Sequence, residues 1–248
     1  MKLLLESGDV NLNVSDKDGR TPLSIAALGG HEGVVKLLLE RGDVNPDSRD
    51  RINETPLSHA ASGGHEGIVK SLLERKYVNP DPPDMYRRTP LSLAASRGHE
   101  GVVKLLPERE EVNPGRPDHN GQTPLSIAAE EGHEGEVSLL PERHGVDLHS
   151  PDNNGRTPLL FATLGEHEDV VKQSLEHGDA SPNLSDNDGQ APVTTSIPTP
   201  APASPLKSPS FLLTLVLFIF VFLICLEHPR FWDSRALLHS ISGGNDCL

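Results

Sequence analysis
The side chains best suited to chemistry are five histidines, each followed by a glutamate: His31-Glu32, His65-Glu66, His99-Glu100, His133-Glu134 and His167-Glu168. On a helix, such a pair can open a zinc-protease site in which the glutamate is the general base. That motif needs a second His three residues after the Glu to put both imidazoles on one face, and Val35 stands there. The pairs follow one another at a single fixed interval, so these histidines read as structural residues at a helix junction rather than as ligands. No phosphate-cradling loop, redox cysteine pair or nucleophile elbow accompanies them. The chain has only 2 cysteines, Cys225 inside an apolar run and Cys247 next to the last residue, which excludes a disulfide framework, a zinc spacing and a prenylation box. Asn13-Val14-Ser15 and Asn183-Leu184-Ser185 match the glycosylation sequon but read as ordinary loop residues. With 36 acidic against 22 basic residues the net charge is −14, which repels nucleic acid. No catalytic residue, metal site or cofactor is expected.

The elements that position these residues follow from the same period. Thr-Pro-Leu recurs at Thr21, Thr55, Thr89, Thr123 and Thr157, and a worn copy, Ala-Pro-Val, begins at Ala191. Within one unit, Thr21 can cap a helix by accepting a backbone hydrogen bond, and Pro22 occupies the first helical position, where its missing N–H costs nothing. Ala26 and Ala27 let a neighbouring helix approach closely. Gly29 and Gly30 are expected to supply the positive φ that ends this helix and reverses the chain. A second helix starts near His31, with Glu32 at its positive end and an apolar stripe of Val34, Val35 and Leu38. Asp16-Lys17-Asp18-Gly19 has the composition of a tight turn ahead of the next Thr-Pro-Leu. Pro107 and Pro141 replace Leu39, Leu73 and Leu175 inside the second helix and predict an early helix stop in those two units, with a flexible joint as the alternative.

This unit resembles the ankyrin repeat, D-x-x-G-x-T-P-L-H-x-A-A followed by G-H and an apolar helix, over residues 1 to 190. The resemblance implies an all-α solenoid of stacked helix-turn-helix units with β-turn fingers. Three departures stand out. The family's His after Thr-Pro-Leu is Ser24, Ser58, Ser92 and Ser126, and Leu160 in the last unit, so its side-chain hydrogen bond must be lost or replaced. A rearranged loop makes each unit one residue longer than the family's usual form. The turn glycine becomes Asn53 and Arg87 and the helix-ending glycine becomes Glu166, where Arg and Glu should be strained.

The chain therefore divides into a partial repeat at 1–16, repeats at 17–50, 51–84, 85–118, 119–152 and 153–186, a degenerate repeat start and linker at 187–210, an apolar segment at 211–226 and a tail at 227–248. Neither end of the array carries the polar face of a capping repeat. Either the array is a fragment of a longer one or other segments cover its ends. The linker, with six prolines between Ala191 and Ser210, is expected to be disordered. Phe211 to Leu226 is uncharged and would span about 24 Å as a helix against a hydrocarbon core of about 30 Å, so it is a candidate C-terminal transmembrane helix, with a buried end cap or a misread coding sequence as the alternatives. Met1-Lys2-Leu3-Leu4-Leu5 is broken at Glu6, too short for a signal-peptide core, so the repeats are expected to be cytoplasmic, or nuclear, even in a single-pass membrane protein.

The function implied by the resemblance is a non-catalytic scaffold that presents the concave face of fingers and first helices to a protein partner. An enzyme with a site between repeats is the less favoured alternative. This wording of the repeat also resembles the sensor arrays behind nucleotide-binding domains in fungal immune-type receptors, which admits a receptor fragment as another alternative. On that face the resemblance places Arg20, Ile25 and Leu28, then Glu54 and His59, then Met85, Tyr86, Arg88, Leu93 and Arg97, then His119, Gln122, Ile127 and Glu130, and last Arg156 and Phe161. Tyr86, Arg88 and Arg97 are the strongest candidates, because Tyr and Arg dominate interface hot spots and the third unit is central.

Overall fold
The computed structural model describes residues 11–176 and 185–191. Among them ten α-helices form five pairs: α1 Pro22–Leu28 with α2 Glu32–Leu39, α3 Pro56–Ser62 with α4 Glu66–Leu73, α5 Pro90–Ala95 with α6 Glu100–Leu105, α7 Pro124–Glu130 with α8 Glu134–Leu139, and α9 Pro158–Leu164 with α10 Glu168–Glu176. A 3-10 turn, Leu106–Glu108, follows α6, and no strand occurs among the described residues. The partial repeat's Met1 to Val10, the prolines of the linker and the apolar segment at 211–226 lie outside the described residues. Among those described, no helix is long and apolar enough to cross a membrane.

Each pair starts the same way. The threonine before every first helix accepts a hydrogen bond from the backbone N–H three residues on, with proline at the first helical position. The serine that stands where the family has His joins this cap. Ser24, Ser58 and Ser126 hydroxyls lie 3.1, 3.1 and 3.0 Å from the threonine Oγ1, and in unit three Ser92 Oγ accepts from Thr89 N–H at 2.9 Å. Leu160 has no such group, and the bond is lost there.

The reversal between helices corrects one expectation. Gly29 has φ −82° and needs no special freedom; only Gly30, at +71°, is left-handed. In units one to four glycine at this second position is favoured twice over. A Cβ on Gly30 would also meet the His65 ring of the next unit at 2.7 Å. Three non-glycine residues do sit at positive φ: Asn53 at 64°, Arg87 at 63° and Glu166 at 58°. Pro107 and Pro141 end their helices early, since α6 and α8 have 6 residues where α2 and α4 have 8.

Packing repeats as faithfully as the caps. Ala26, Ala27, Ala60, Ala61, Ala94, Ala95, Ala128 and Ala129 are all buried, so successive first helices stack closely, and Val35 and Leu38 with their equivalents in units two to four bury the second helices in the same continuous core. The histidines tie the units across the joints. His65, His99 and His167 donate from Nε2 to the carbonyls of Leu28, Ser62 and Glu130 in the preceding unit, at 3.2, 3.1 and 2.8 Å. A carbonyl only accepts, which fixes the protonated nitrogen as Nε2.

Candidate functional site
The fingers are built on one aspartate each. Asp16 Oδ1 accepts from Asp18 and Arg20 N–H, and Asp50, Asp84, Asp118 and Asp152 repeat the pattern on the residues two and four further on. Neighbouring fingers are joined by single backbone bonds such as Arg51 N–H to Asp18 O at 3.0 Å and Met85 N–H to Ile52 O at 2.9 Å, which hold them in register without making a sheet. In units one, three and five an arginine folds back onto the second aspartate oxygen: Arg20 on Asp16 at 2.9 Å, Arg88 on Asp84 at 2.7 Å and Arg156 on Asp152 at 2.7 Å.

Between these fingers and the first helices of units one to three runs an open groove of about 540 Å³. Finger residues Asp18, Arg20, Asp50, Arg51, Ile52, Glu54 and Arg88 line one side, and Leu28, His59, Ser62, Leu93 and Arg97 of the first helices and their C-terminal turns line the other. It gathers seven of the residues that the sequence points to, namely Arg20, Leu28, Glu54, His59, Arg88, Leu93 and Arg97. Ile25, Met85, Tyr86, His119 and Glu130 are exposed outside its lining, as is Leu164 at the end of α9. The Arg88 guanidinium lies over the Tyr86 ring, a cation–π contact. Its carbon is 5.0 Å from the ring centre, and Arg97 Nη1 donates to Ser62 O at 2.8 Å. Gln122 and Arg156, further along the stack, are half-buried. Gln122 donates to Glu130 at 2.6 Å, and His119 Nε2 to Met85 O at 3.0 Å.

Four residues expected on the exposed side of their helices are buried instead: His59 at 5%, Leu93 at 4%, Ile127 at 9% and Phe161 at 2%. All four are equivalent to Ile25, which is 46% exposed. For His59, Leu93 and Ile127 the reason is stacking. α3, α5 and α7 are packed against a first helix on both sides, whereas α1 has one on its C-terminal side only and α9 one on its N-terminal side only among the described residues. Phe161 is covered by Arg156, whose guanidinium sits 4.5 Å from the ring centre.

His59 is covered by carboxylates. Its Nδ1 lies 3.2 Å from Glu54 Oε2 and its Nε2 3.2 Å from Asp50 Oδ2, the latter off the line that a hydrogen bond requires, so this buried Nε2 has no hydrogen-bond partner. Burial pushes the Glu54 carboxyl above its ordinary value, helped by Asp50 and Asp84 and opposed by His59 and Arg88. One atom each of Asp50, Glu54 and His59 lie within 4.8 Å of one another, the one His-and-carboxylate group among the described residues with metal-ligand spacing. Asp50 is missing from the residues that the sequence points to. Its signal is in unit two, which alone replaces both the finger arginine or glutamine, by Glu54, and the apolar helix residue, by His59.

Helix-turn-helix units stacked in line, with fingers in register along one edge, define a helical repeat solenoid. The ankyrin-repeat family model, which describes three copies, matches residues 1–50, 43–114, 75–150 and 110–186, and the chain belongs to the ankyrin-repeat family. Ankyrin repeats are generally protein-interaction modules. None of the curated proteins matches the chain.

Proposed function
We propose that the chain is a non-catalytic scaffold that captures a protein partner on the groove of units one to three and on the adjoining exposed turn at Met85 and Tyr86. The observation that carries this reading is the groove itself. It is open, and it alternates guanidinium and carboxylate groups over the apolar Leu28 and Leu93, with two large exposed side chains in a neighbouring turn, the composition of an interface with a hot spot and a polar rim.

Affinity capture by the immobilised chain, followed by titration of the captured protein, tests it. Met85→Ala with Tyr86→Ala is the clean perturbation. Arg88→Ala would also strip the cation from the buried Asp84, so Arg88 serves as a second arm only. The double alanine variant is expected to weaken binding by more than about 1 kcal/mol with helix content unchanged. Unaltered affinity would place the partner on another face.

The proposal also holds the repeats in the cytoplasm and anchors them to a membrane through Phe211 to Leu226. What supports the anchor is sixteen consecutive residues without a charge, four of them Phe.

A further inference from the structure
We propose that Asp50, Glu54 and His59 form a binding site for a divalent cation of the zinc type in the groove. Unit two departs from the repeat twice in one place. The residue four beyond the finger aspartate is Arg20, Arg88 or Arg156 in three units and Gln122 in the fourth, but Glu54 here. The helix position is Ile25, Leu93, Ile127 or Phe161 elsewhere, but His59 here. Either change alone is unfavourable: Glu54 removes the cation that neutralises the finger aspartate, and an imidazole enters an otherwise apolar slot. Together they bring two carboxylates and a ring nitrogen within 4.8 Å.

The geometry is close to what a cation needs. Ligand atoms about 2.0–2.2 Å from a tetrahedral zinc lie about 3.4 Å apart. His59 Nε2 and Asp50 Oδ2 are already at 3.2 Å. Glu54 Oε2 stands 3.2 Å from the other ring nitrogen, Nδ1, and completes the site by turning its carboxylate toward Nε2. Asp50 Oδ1 is taken by the Ile52 and Glu54 N–H groups at 3.0 and 2.9 Å, leaving Oδ2 for the ion. The buried His59 Nε2 makes no hydrogen bond, so it is open to serve as a ligand atom. The charges also favour an ion. Asp50 and Glu54 set two carboxylates against the ring at 3.2 Å each, with Arg88 and Arg20 as the cations that also act on them, and a dication answers such a pair of carboxylates. Arg20 of the neighbouring finger is engaged by its own Asp16 and Asp18. One nitrogen with two oxygens selects a first-row transition ion over calcium or magnesium, which prefer oxygen alone, and the groove admits water to the remaining position. An ion here would tie the second finger to α3 whether or not a protein occupies the groove.

The test is titration of the full chain with Zn²⁺ by calorimetry, alongside Co²⁺ absorption as a report on coordination. His59→Leu and Glu54→Gln are the variants, chosen because Leu93 and Gln122 fill those positions in other units of the same stack. One strong site is expected, weakened by at least about tenfold in each variant, with visible Co²⁺ bands lost and far-ultraviolet circular dichroism unchanged. The chain has 12 histidines, so Zn²⁺ binding that both variants leave unaltered would assign the ion elsewhere and overturn the proposal. Absence of any strong site would overturn it equally.

Discussion

Glu136 offers the sharpest test of how the stack is held together. It sits in the first turn of α8, 2% exposed, at the place where the other second helices carry Val34, Ile68, Val102 and Val170, and its Oε1 has no hydrogen-bond partner. A buried polar atom left unsatisfied costs about 1–3 kcal/mol. Glu136→Val removes that cost at nearly constant volume. Against the gain stand about 0.5 kcal/mol of helix propensity lost to a β-branched residue and about 0.5 kcal/mol of favourable interaction between a carboxylate and a helix N-terminus. Taking about 2 kcal/mol for the first effect, the net is a stabilisation of about 1 kcal/mol, or a rise in urea midpoint of about 0.5 M at an m-value of about 2 kcal/mol/M.

The pH dependence supplies an independent check. Burial raises the Glu136 carboxyl above its ordinary value of 4.5, with Glu100 adding to the rise and the Glu136 N–H, His133 and His99 opposing it. The native state therefore holds this proton more tightly than the unfolded chain does. The contribution of the proton to stability is present in full below pH 4.5 and is lost as pH rises through the folded value. The advantage of Val over Glu should then be largest near neutrality and shrink on acidification. Urea unfolding followed by circular dichroism at several pH values measures both effects. A midpoint that falls at neutral pH, or an advantage that grows in acid, would refute the reasoning.

Arg87→Gly should stabilise the third finger by about 0.5 kcal/mol, since a left-handed residue with a Cβ costs about 1–2 kcal/mol and the added freedom of glycine in the unfolded chain returns about 0.5–1 kcal/mol of that. Asn53→Gly, at the same place in unit two, should change little because Asn tolerates a left-handed backbone, and equal urea midpoints for Arg87→Gly and the parent chain would dismiss the strain. For the anchor, the full chain is expected in the membrane fraction after carbonate extraction and a chain ending at Asp186 in the supernatant; equal partitioning of the two would remove the anchor from the proposal.

The parts of the fold that are legible in the sequence are those decided within a few residues. Thr21 and Pro22 start a helix through their own backbone and side-chain chemistry, Asp16 closes a turn through N–H groups two and four residues on, and Asn53, Arg87 and Glu166 betray positive φ because their equivalents are glycine. Burial on the finger-facing side of the first helices is not legible, because it is set by neighbours a full repeat away. Ile25 and Leu93 occupy the same position in their units, and stacking leaves the first open and covers the second. The same limit hides the role of Gly30, whose missing Cβ makes room for the ring of His65 in the next unit.

The departures from the repeat separate into two kinds once their neighbours are known. Arg87 and Glu166 keep a left-handed backbone without glycine, and Glu136 puts a carboxyl where Val and Ile belong; in each, the unfavourable effect has no partner that offsets it. Pro107 and Pro141 shorten their helices in the same manner. Glu54 and His59 differ. Each is unfavourable alone, and each faces the other at 3.2 Å in the groove that collects residues from three units. Isolated departures of the first kind lower stability and leave the groove as it was. Two that meet change the chemistry of that groove, replacing an arginine-aspartate pair by two carboxylates against an imidazole. Unit two is therefore where the groove departs most from the repeat, and the exposed turn of unit three, with Met85 and Tyr86, stands beside it.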